Sequence, residues 1–541
     1  MKKLILFIVI FICLSCATSQ LLSKKTSYKI DIQFDHIEEI LKGKMKIIWN
    51  NTSDSLVKEL PFHFQADSIK SNINTAMVNY DEVSVKYVSK KSHGFDGFVL
   101  LLNTPIKPNE ITHIEIDFTT KKRLIGEYEG EKINNNTYFF TKDLPQLPFF
   151  KEGSFIHDFQ VHSDYQVNIA YDSIFKMSST GIIKKENKEN RKVISTTVAK
   201  DVPSYGILLF KNAIVKEKRT SSNVLIRSIF FDDDQKWGNR LLDYAEDVLE
   251  FYEDSLGFYP QPILNIIPGY SKPYGGWPVS PNIIGIHRGI DSKKNRAETH
   301  AKWITAHEIG HQYWGFNYIL EPLNYPQWFG IGMGIYTDHL YSIKKGIDVD
   351  YSDYFSSSYF EGVKRGYNTT IMQTIDTLNK QGIDWNNIIM HDKSYSVLRM
   401  LAYEIGEDTF FEIFKHCLNN YKGVNVTLDM FKKDCEQISK MNLDEFFNTW
   451  FYTSDYLEYQ IDTVLVSKKE NKYTNKIIIN KLGKAKISHI ELAIVLNNGE
   501  IIKQMFDGKQ SNTIFETDTN KPIKKIILDP DLKLLMVNKK E

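Results

Sequence analysis

The period of the hydrophobic pattern changes twice along this chain, and this change limits the folds that it can adopt. Near the start, apolar and polar residues alternate with the two-residue period of a half-buried strand, as at Tyr28, Ile30, Ile32 and Phe34. Short apolar runs separated by turn residues continue to about residue 215. This pattern predicts a β-sandwich-like domain over 27–215.

Helical spacing replaces the alternation near Trp237. Apolar residues then recur every three or four positions until Gly257 and Pro260 end the predicted helix, as at Leu241, Tyr244, Ala245, Val248 and Phe251. The same spacing returns further along, and Thr427 is placed to cap another helix. We therefore predict a mostly helical domain over 216–456.

Strand alternation returns in the tail, as at Ile490, Leu492, Ile494 and Leu496. Asn498-Gly499 and Asp507-Gly508 are typical hairpin turns, so we predict a C-terminal β-sandwich-like domain over 457–541. A chain of 541 residues is too long for a single hydrophobic core. The predicted fold class is therefore multidomain α+β, in the order β, helical, β.

The first residues are typical of an export signal. Two lysines precede the apolar residues 4–14, which are too few to span a bilayer. The following Ser15-Cys16 resembles a bacterial lipoprotein signal, which implies a signal peptide over 1–16, acylation of Cys16 and a tether over 17–26. Plain cleavage that leaves a free Cys16 is the alternative. We expect a lipid-anchored protein on the periplasmic or cell-surface side.

Charge and cysteine content narrow the choice of partners. The 67 basic and 67 acidic residues cancel, and no long block of like charge could follow a nucleic-acid backbone. We therefore expect no nucleic-acid partner. Only Cys417 and Cys435 would remain in the mature protein, which permits one disulfide but no disulfide scaffold. The sequence does not indicate an oligomeric state.

The segment His-Glu-Ile-Gly-His at 307–311 carries the clearest chemistry. Residues four apart on a helix share one face, so His307 and His311 can direct two imidazole nitrogens at one cation. Glu308 lies beside this face, where its carboxylate could take a proton from a metal-bound water. This arrangement predicts a zinc site with Glu308 as general base.

The surrounding residues 304–315, Ile-Thr-Ala-His-Glu-Ile-Gly-His-Gln-Tyr-Trp-Gly, resemble the motif of the gluzincin aminopeptidases. That family includes membrane alanyl aminopeptidase and leukotriene hydrolase. The resemblance implies a thermolysin-like catalytic domain between β-domains, one zinc ion and a peptide or protein substrate. It covers nearly all of the chain beyond residue 27.

The chain departs from the family pattern at the third zinc ligand. The family has a glutamate in Trp-Leu-x-Glu-Gly, whereas this chain has Trp328-Phe-Gly-Ile331-Gly. Strict counting from His311 reaches Gly330, which cannot coordinate a metal either. Four side chains are candidate substitutes, of which we favour the last: Glu321, Asp338, His339 and His391.

Two substrate-binding motifs also differ. The family segment Gly-Ala-Met-Glu-Asn corresponds to 275–279, so Gly275, Gly276 and Trp277 would line the substrate edge. Pro278 occupies the position of the glutamate that would hold a free amino end. The family's oxyanion-binding tyrosine corresponds to His391, which implies that His391 supports either the oxyanion or the metal.

Two functions therefore remain open. The first is a zinc metallopeptidase with a degenerate site. The second is an inactive module that binds a peptide or protein partner in the cleft between the β and helical domains, with Trp277 and Trp328 as aromatic anchors. Both tryptophans could equally be core residues.

Overall fold

A computed structural model describes residues 25–64, 71–121, 137–141, 143–269, 275–287, 296–347, 350–469 and 472–537. The predicted signal peptide, Cys16 and the tether up to residue 24 lie outside these residues. The described chain forms two compact units, one within Met1–Asp243 and Gln261–Ile290 and the other within Tyr244–Pro260 and Asp291–Glu541. The central helices lie between strand-rich segments, so the multidomain α+β class is confirmed in outline, while the domain boundaries stay a prediction.

Strands make up the first unit as far as residue 211. They are β1 (Ser27–Asp35), β2 (Ile40–Asn50), β3 (Val57–His63), β4 (Asn72–Val78), β5 (Asp81–Glu82), β6 (Ser84–Val88), β7 (Gly97–Ile106), β8 (Ile111–Lys121), β9 (Thr137–Phe140), β10 (Phe149–Lys151), β11 (Ser154–Ile156), β12 (Ser163–Asp172), β13 (Phe175–Ser179), β14 (Ile182–Glu189), β15 (Lys192–Val202) and β16 (Ile207–Lys211). One helical turn, α1 (Lys90–His93), precedes β7.

An eight-stranded sheet in the order β14-β15-β12-β1-β2-β8-β4-β5 organises this unit. β1 pairs antiparallel with β2 and parallel with β12. The alternation in β1 buries one face against the core, with Tyr28, Ile30, Ile32 and Phe34 inside. The two-residue period in the sequence therefore predicted both the strand and its buried face.

A five-stranded sheet of the first unit lies within the region predicted to be mostly helical. Its strands follow the order β17-β18-β19-β21-β20 and are β17 (Ile214–Arg219), β18 (Leu225–Phe230), β19 (Ile263–Gly269), β20 (Gly276–Ser280) and β21 (Ile283–His287). β19 is buried along its whole length and therefore shows no alternation. Such a run cannot be distinguished from a buried helix by its period alone.

Helices occupy the middle of the chain. They are α2 (Gln235–Leu256), α3 (Arg296–Gly310), α4 (Trp328–Lys345), α5 (Tyr351–Lys364), α6 (Ile375–Gln381), a π-helix (Trp385–Lys393), α7 (Ser394–Ile405), α8 (Glu407–Asn420), α9 (Leu428–Ser439) and α10 (Asp444–Tyr452). α2 ends immediately before Gly257, as predicted. The hydroxyl of Thr427 accepts a hydrogen bond from the backbone N–H of Met430, which confirms the predicted cap of α9.

Strands return after α10 and form sheets in the orders β26-β23-β22-β28 and β25-β24-β27. They are β22 (Leu457–Lys469), β23 (Lys472–Lys481), β24 (His489–Leu496), β25 (Ile501–Asp507), β26 (Asn512–Thr519), β27 (Ile523–Leu528) and β28 (Met536–Val537). Cys417 and Cys435 are buried free thiols. Among the described residues, no helix is both long enough and apolar enough to cross a membrane.

A pair of histidines lies close together in the first unit. His63 ends β3, and its Nε2 lies 3.3 Å from Nδ1 of His157. The His157 ring stacks on Phe95 with ring centroids 3.9 Å apart. Burial, and then the neighbouring His157, lower the pKa of His63 to about 4, although the Asp96 carboxylate opposes this shift.

We expect acid to destabilise the wild-type protein partly through this pair. Between pH 6.5 and 4 the unfolded chain binds a proton at His63 that the folded chain does not, so stability falls as the pH falls. At pH 5 the loss amounts to about 2 kcal/mol relative to pH 7.5. Urea unfolding of His63→Gln should show a weaker pH dependence than wild type, with His113→Gln on the exposed face of β8 as control. Equal pH dependence in His63→Gln and wild type would contradict this prediction.

Candidate metal centre

Helices α3 and α4 run antiparallel and approach each other closely at two glycines. A side-chain carbon on Gly310 would lie 3.3 Å from the backbone oxygen of Gly334. A side-chain carbon on Gly334 would in turn lie 2.9 Å from the ring of His311. One helical turn away from this contact, His307 of α3 forms a hydrogen bond with Asp338 of α4. The crossing therefore places both histidines of the motif against α4.

The two histidines have the separation of ligands on one cation. Nε2 of His311 lies 3.0 Å from Nε2 of His307. Two nitrogens bound tetrahedrally to zinc at about 2.0–2.1 Å are roughly 3.3 Å apart. Nδ1 of His307 donates to the Asp338 carboxylate, so neutral His307 presents a lone pair at Nε2. The pair thus fits two coordination positions of a zinc ion.

Asp338 is the residue whose function the sequence did not reveal. Its Oδ2 lies 2.7 Å from Nδ1 of His307, and its Oδ1 accepts hydrogen bonds from Trp303 Nε1 at 3.0 Å and from the Tyr351 hydroxyl. The sequence suggests Asp338 only as a candidate metal ligand, whereas its carboxylate binds Nδ1 of His307, the ring nitrogen that would face away from the metal. Such a carboxylate fixes the tautomer and orientation of a ligating histidine.

The charges of this pair depend on each other. Burial acts to lower the pKa of His307, but the hydrogen bond and the charge of Asp338 outweigh burial and leave it raised. Burial also raises the pKa of Asp338, against the three donors around it. Burial, together with the neighbouring His307 and His391, lowers the pKa of His311 far below its usual value. Neutral His311 therefore retains a lone pair that can bind a metal.

Glu308 lies beside the histidines with an unused oxygen. Its side chain is buried, and its Oε2 has no hydrogen-bond partner among the described residues. Burial is the main cause that raises the pKa of Glu308 to about 8, while the neighbouring His307 acts to lower it. An unpartnered buried carboxylate oxygen costs folding free energy, so it calls for an explanation such as a catalytic role. A cation at the histidine pair would favour the ionised form of Glu308.

His391 lies in the π-helix close to the pair, with its ring centroid 6.1 Å from that of His307. Two imidazoles bound to one zinc have centroids roughly 5–6 Å apart, given the length of the Zn–N bonds. Nδ1 of His391 lies 2.5 Å from the backbone oxygen of Asn386, so Nε2 holds the lone pair in the neutral ring. Burial lowers the pKa of His391 to about 4. This protonation state favours binding a cation over donating to an oxyanion.

The position of the missing glutamate is on α4, one turn before the glycine that lies against the His311 ring. Ile331 is buried in α4 and lies three residues before Gly334, so both residues are on one face of the helix. Within the described part of the chain, no group of three or more His, Cys, Asp or Glu side chains is arranged to hold a metal ion. The hydrocarbon side chain of Ile331 supplies no ligand atom at the position where the family has a glutamate.

Glu321, another predicted substitute, binds the start of α4. Its carboxylate accepts the backbone N–H groups of Phe329 and Gly330 at 3.2 and 2.9 Å. It lies between Gly315 and Gly330, where a side-chain carbon on either would come within 2.6 Å of Oε1. Burial raises the pKa of Glu321 to about 8. This carboxylate satisfies backbone donors at the start of α4, so both of its oxygens are engaged and neither is free to bind a metal.

His339, the other helical candidate, is also engaged. Its Nδ1 lies 2.7 Å from the Tyr395 hydroxyl and 3.5 Å from Arg399. Burial and the charge of Arg399 lower the pKa of His339 to about 3. The ring stacks on Tyr351, which holds Asp338. His339 therefore supports the network around Asp338.

The predicted substrate residues lie in the first unit. Gly276 and Trp277 are on β20 at the edge of its five-stranded sheet, and Gly275 immediately precedes that strand. Gly275 has a φ of +105°, which favours glycine, and its carbonyl accepts the N–H of His287. The Trp277 ring covers Gly285 and contacts His287, with centroids 4.9 Å apart. Trp277 is half-buried, whereas Trp328 lies in the core against Phe431 and Phe451. Trp328 is therefore a core residue and not an exposed anchor.

Comparison with known proteins relates this geometry to a family. Residues 242–450 match the family model described as the Peptidase family M1 domain. The matched segment contains the two motif histidines, Glu308, Asp338 and His391. No curated protein matches the chain.

Proposed function

Because this chain belongs to peptidase family M1 through residues 242–450, we propose that it hydrolyses peptide bonds at the centre around His307 and His311. A zinc metallopeptidase-like function follows from the family. That this chain turns over substrate is our proposal, and it rests chiefly on the buried, unpartnered Oε2 of Glu308 beside the histidine pair.

Three histidines would hold the metal in this proposal. His307 and His311 provide Nε2 atoms 3.0 Å apart. His391, whose ring centroid lies 6.1 Å from that of His307, would provide the third lone pair. Three histidines are a known ligand set for catalytic zinc and leave one position open. A bound zinc would supply a Lewis acid that polarises a carbonyl group and lowers the pKa of water.

Glu308 is the general base of the proposed reaction. Its free Oε2 would take the proton from the attacking water and later deliver it to the leaving amine. Asp338 would hold His307 in the tautomer that exposes Nε2. Gly275, Gly276 and Trp277 remain the proposed substrate edge. Because the side chain at 278 is a proline, it cannot bind a free amino group as a carboxylate would.

We also propose that the protein acts outside the cytoplasm while attached to a membrane by lipid on Cys16. The support is the sequence of residues 1–16, with basic residues, an apolar stretch and Ser15-Cys16. Its substrate would be a peptide or protein in the same compartment. Mass spectrometry of the mature N-terminus separates an acylated Cys16 from plain cleavage.

Metal analysis and a peptide-hydrolysis assay together test the function. We expect purified protein lacking the residues before 25 to bind about one zinc per chain and to cleave a peptide library. His307→Ala should abolish both zinc binding and cleavage. Protein that contains no zinc under saturating supply would overturn the proposal.

The second candidate function is an inactive module that binds a peptide or protein. The hydrocarbon side chain of Ile331 at the ligand position, and the absence of a complete ligand group among the described residues, favour it. The two functions differ in one measurement. A zinc-loaded protein that binds peptides but leaves the whole library intact is the inactive module.

Restoring the missing ligand provides a further prediction. Ile331→Glu should raise zinc affinity by about tenfold, because residue 331 shares a helix face with Gly334, which touches His311. Competition with a fluorescent chelator measures the change. Ile331→Gln, which has nearly the same shape as glutamate but no negative charge, serves as the matched control. Unchanged affinity in Ile331→Glu would show that residue 331 does not face the pair.

A further inference from the structure

Lys393 is a fully buried lysine at the end of the π-helix, two residues after His391. Its Nζ donates hydrogen bonds to the backbone oxygens of Thr369 at 2.7 Å and Thr453 at 2.9 Å. Removing an ammonium group from water costs folding free energy unless hydrogen bonds replace that water. An apolar side chain would fill the same space at a lower cost, so the hydrogen bonds of Lys393 call for an explanation.

The two carbonyl groups that accept from Lys393 belong to segments that are joined by a contact of their own. Thr369 precedes α6, and Thr453 immediately follows α10. The side-chain amide of Asn368 donates to the backbone oxygen of Ser454 at 2.6 Å and connects the same two segments. The C-terminal end of a helix carries partial negative charge, which favours a cation beside Thr453. Lys393 therefore ties the end of the π-helix to two segments that are already joined without it.

The residues beside Lys393 also hold the π-helix and the His391 ring in place. The Asp392 carboxylate accepts a hydrogen bond from the Ser358 hydroxyl of α5 at 2.6 Å. Nδ1 of His391 lies 2.5 Å from the backbone oxygen of Asn386, so the ring is fixed relative to the π-helix. π-Helices are rare and occur frequently at functional sites. The position of the His391 ring therefore depends on how the π-helix is anchored, and Lys393 provides two of the anchoring hydrogen bonds.

We propose that Lys393 is a positioning residue of the metal centre. By anchoring the end of the π-helix, its ammonium group holds the His391 ring beside His307, where the two ring centroids are 6.1 Å apart. Lys393 itself binds neither metal nor substrate in this role. Because only the proposed function makes His391 a zinc ligand, the role of Lys393 rests on that function. Loss of the ammonium group should weaken zinc binding only while His391 contributes a ligand.

A double-mutant cycle on the full chain tests this dependence, with zinc affinity measured by competition with a fluorescent chelator. Lys393→Met keeps a long unbranched side chain but removes the ammonium group. In the wild-type background it should weaken zinc binding by about tenfold, the lower end of the effect of residues that orient a ligand. In the His391→Ala background it should cause no further loss. Lys380→Met makes the same change at an exposed lysine on α6 and should keep wild-type affinity.

The outcomes of this cycle separate the role of Lys393 from the proposed ligand set. If His391→Ala keeps wild-type zinc affinity, His391 is not a ligand, and both the three-histidine set and the role of Lys393 fail. If His391→Ala weakens zinc binding but Lys393→Met does not, only the role of Lys393 is overturned. An equal loss from Lys393→Met in both backgrounds would indicate general damage to the fold and would also overturn it.

A milder variant keeps the test valid if Lys393→Met does not fold. Lys393→Gln has a shorter side chain that retains N–H donors but carries no charge. It should weaken zinc binding less than Lys393→Met, and this smaller loss should also disappear in the His391→Ala background. Urea unfolding of the same samples gives the change in stability separately. A loss of zinc affinity from Lys393→Gln that persists without His391 would overturn the proposal.

Discussion

Replacing Glu308 with glutamine is expected to lower kcat/KM for peptide hydrolysis by about 10²–10⁴-fold while leaving zinc bound. Glutamine has nearly the same shape, but its amide cannot accept a proton from water. The loss should therefore appear in turnover and not in metal content. Steady-state kinetics together with metal analysis of the same samples will separate the two effects.

Glu298 provides the control for this substitution, because it lies in the first turn of the same helix and is exposed. Its carboxylate accepts a hydrogen bond from the Tyr244 hydroxyl, and glutamine keeps an acceptor there. Glu298→Gln should retain wild-type kcat/KM. If Glu308→Gln remains as active as wild type with zinc bound, Glu308 is not the base and the proposed chemistry fails.

Asp338→Asn is expected to weaken zinc binding by about 10–100-fold without unfolding the protein. The two Asp338 oxygens accept from His307 on one side and from Trp303 and Tyr351 on the other. An amide can accept on one side only, and its NH₂ group then faces a donor on the other. Two donors facing each other should turn the His307 ring or move its proton from Nδ1 to Nε2. The free energy of unfolding should fall by about 1–3 kcal/mol.

Tyr351→Phe separates the effect on the metal from general damage to the network. It removes one of the donors to Asp338 but leaves the carboxylate and His307 in place. Its unfolding free energy should fall by an amount similar to that of Asp338→Asn, while its zinc affinity should remain close to wild type. Equal losses of zinc affinity in both variants would mean that Asp338 acts only through stability.

Much of the architecture could be predicted from sequence because the pattern of burial is local. The alternation at Tyr28, Ile30 and Ile32 fixed both a strand and its buried face, and Gly257 marked the end of α2. β19 could not be predicted in this way, because a strand buried on both faces has no alternation to detect.

The candidate centre could be predicted only in part, for a different reason. His307, Glu308 and His311 are close in sequence, so helical geometry alone brings them together. The role of Asp338 depends on the antiparallel crossing of α3 and α4. The contact between Gly334 and His311 sets the register of that crossing. One turn back along α3 from His311 is His307, and one turn forward along α4 from Gly334 is Asp338, so these two side chains meet. Neither glycine at this crossing has a functional group that would have drawn attention to it.

The hydrogen bonds that Glu321 makes to Phe329 and Gly330 have a consequence for how this centre assembles. They anchor the beginning of α4 through the protein's own groups, and Asp338 anchors His307 in the same way. In zinc fingers the ion itself drives folding, whereas here hydrogen bonds within the protein hold the helices that carry the coordinating residues. A bound zinc would still add to the stability of the folded chain by mass action, but a change at the coordinating positions should alter occupancy while the scaffold persists.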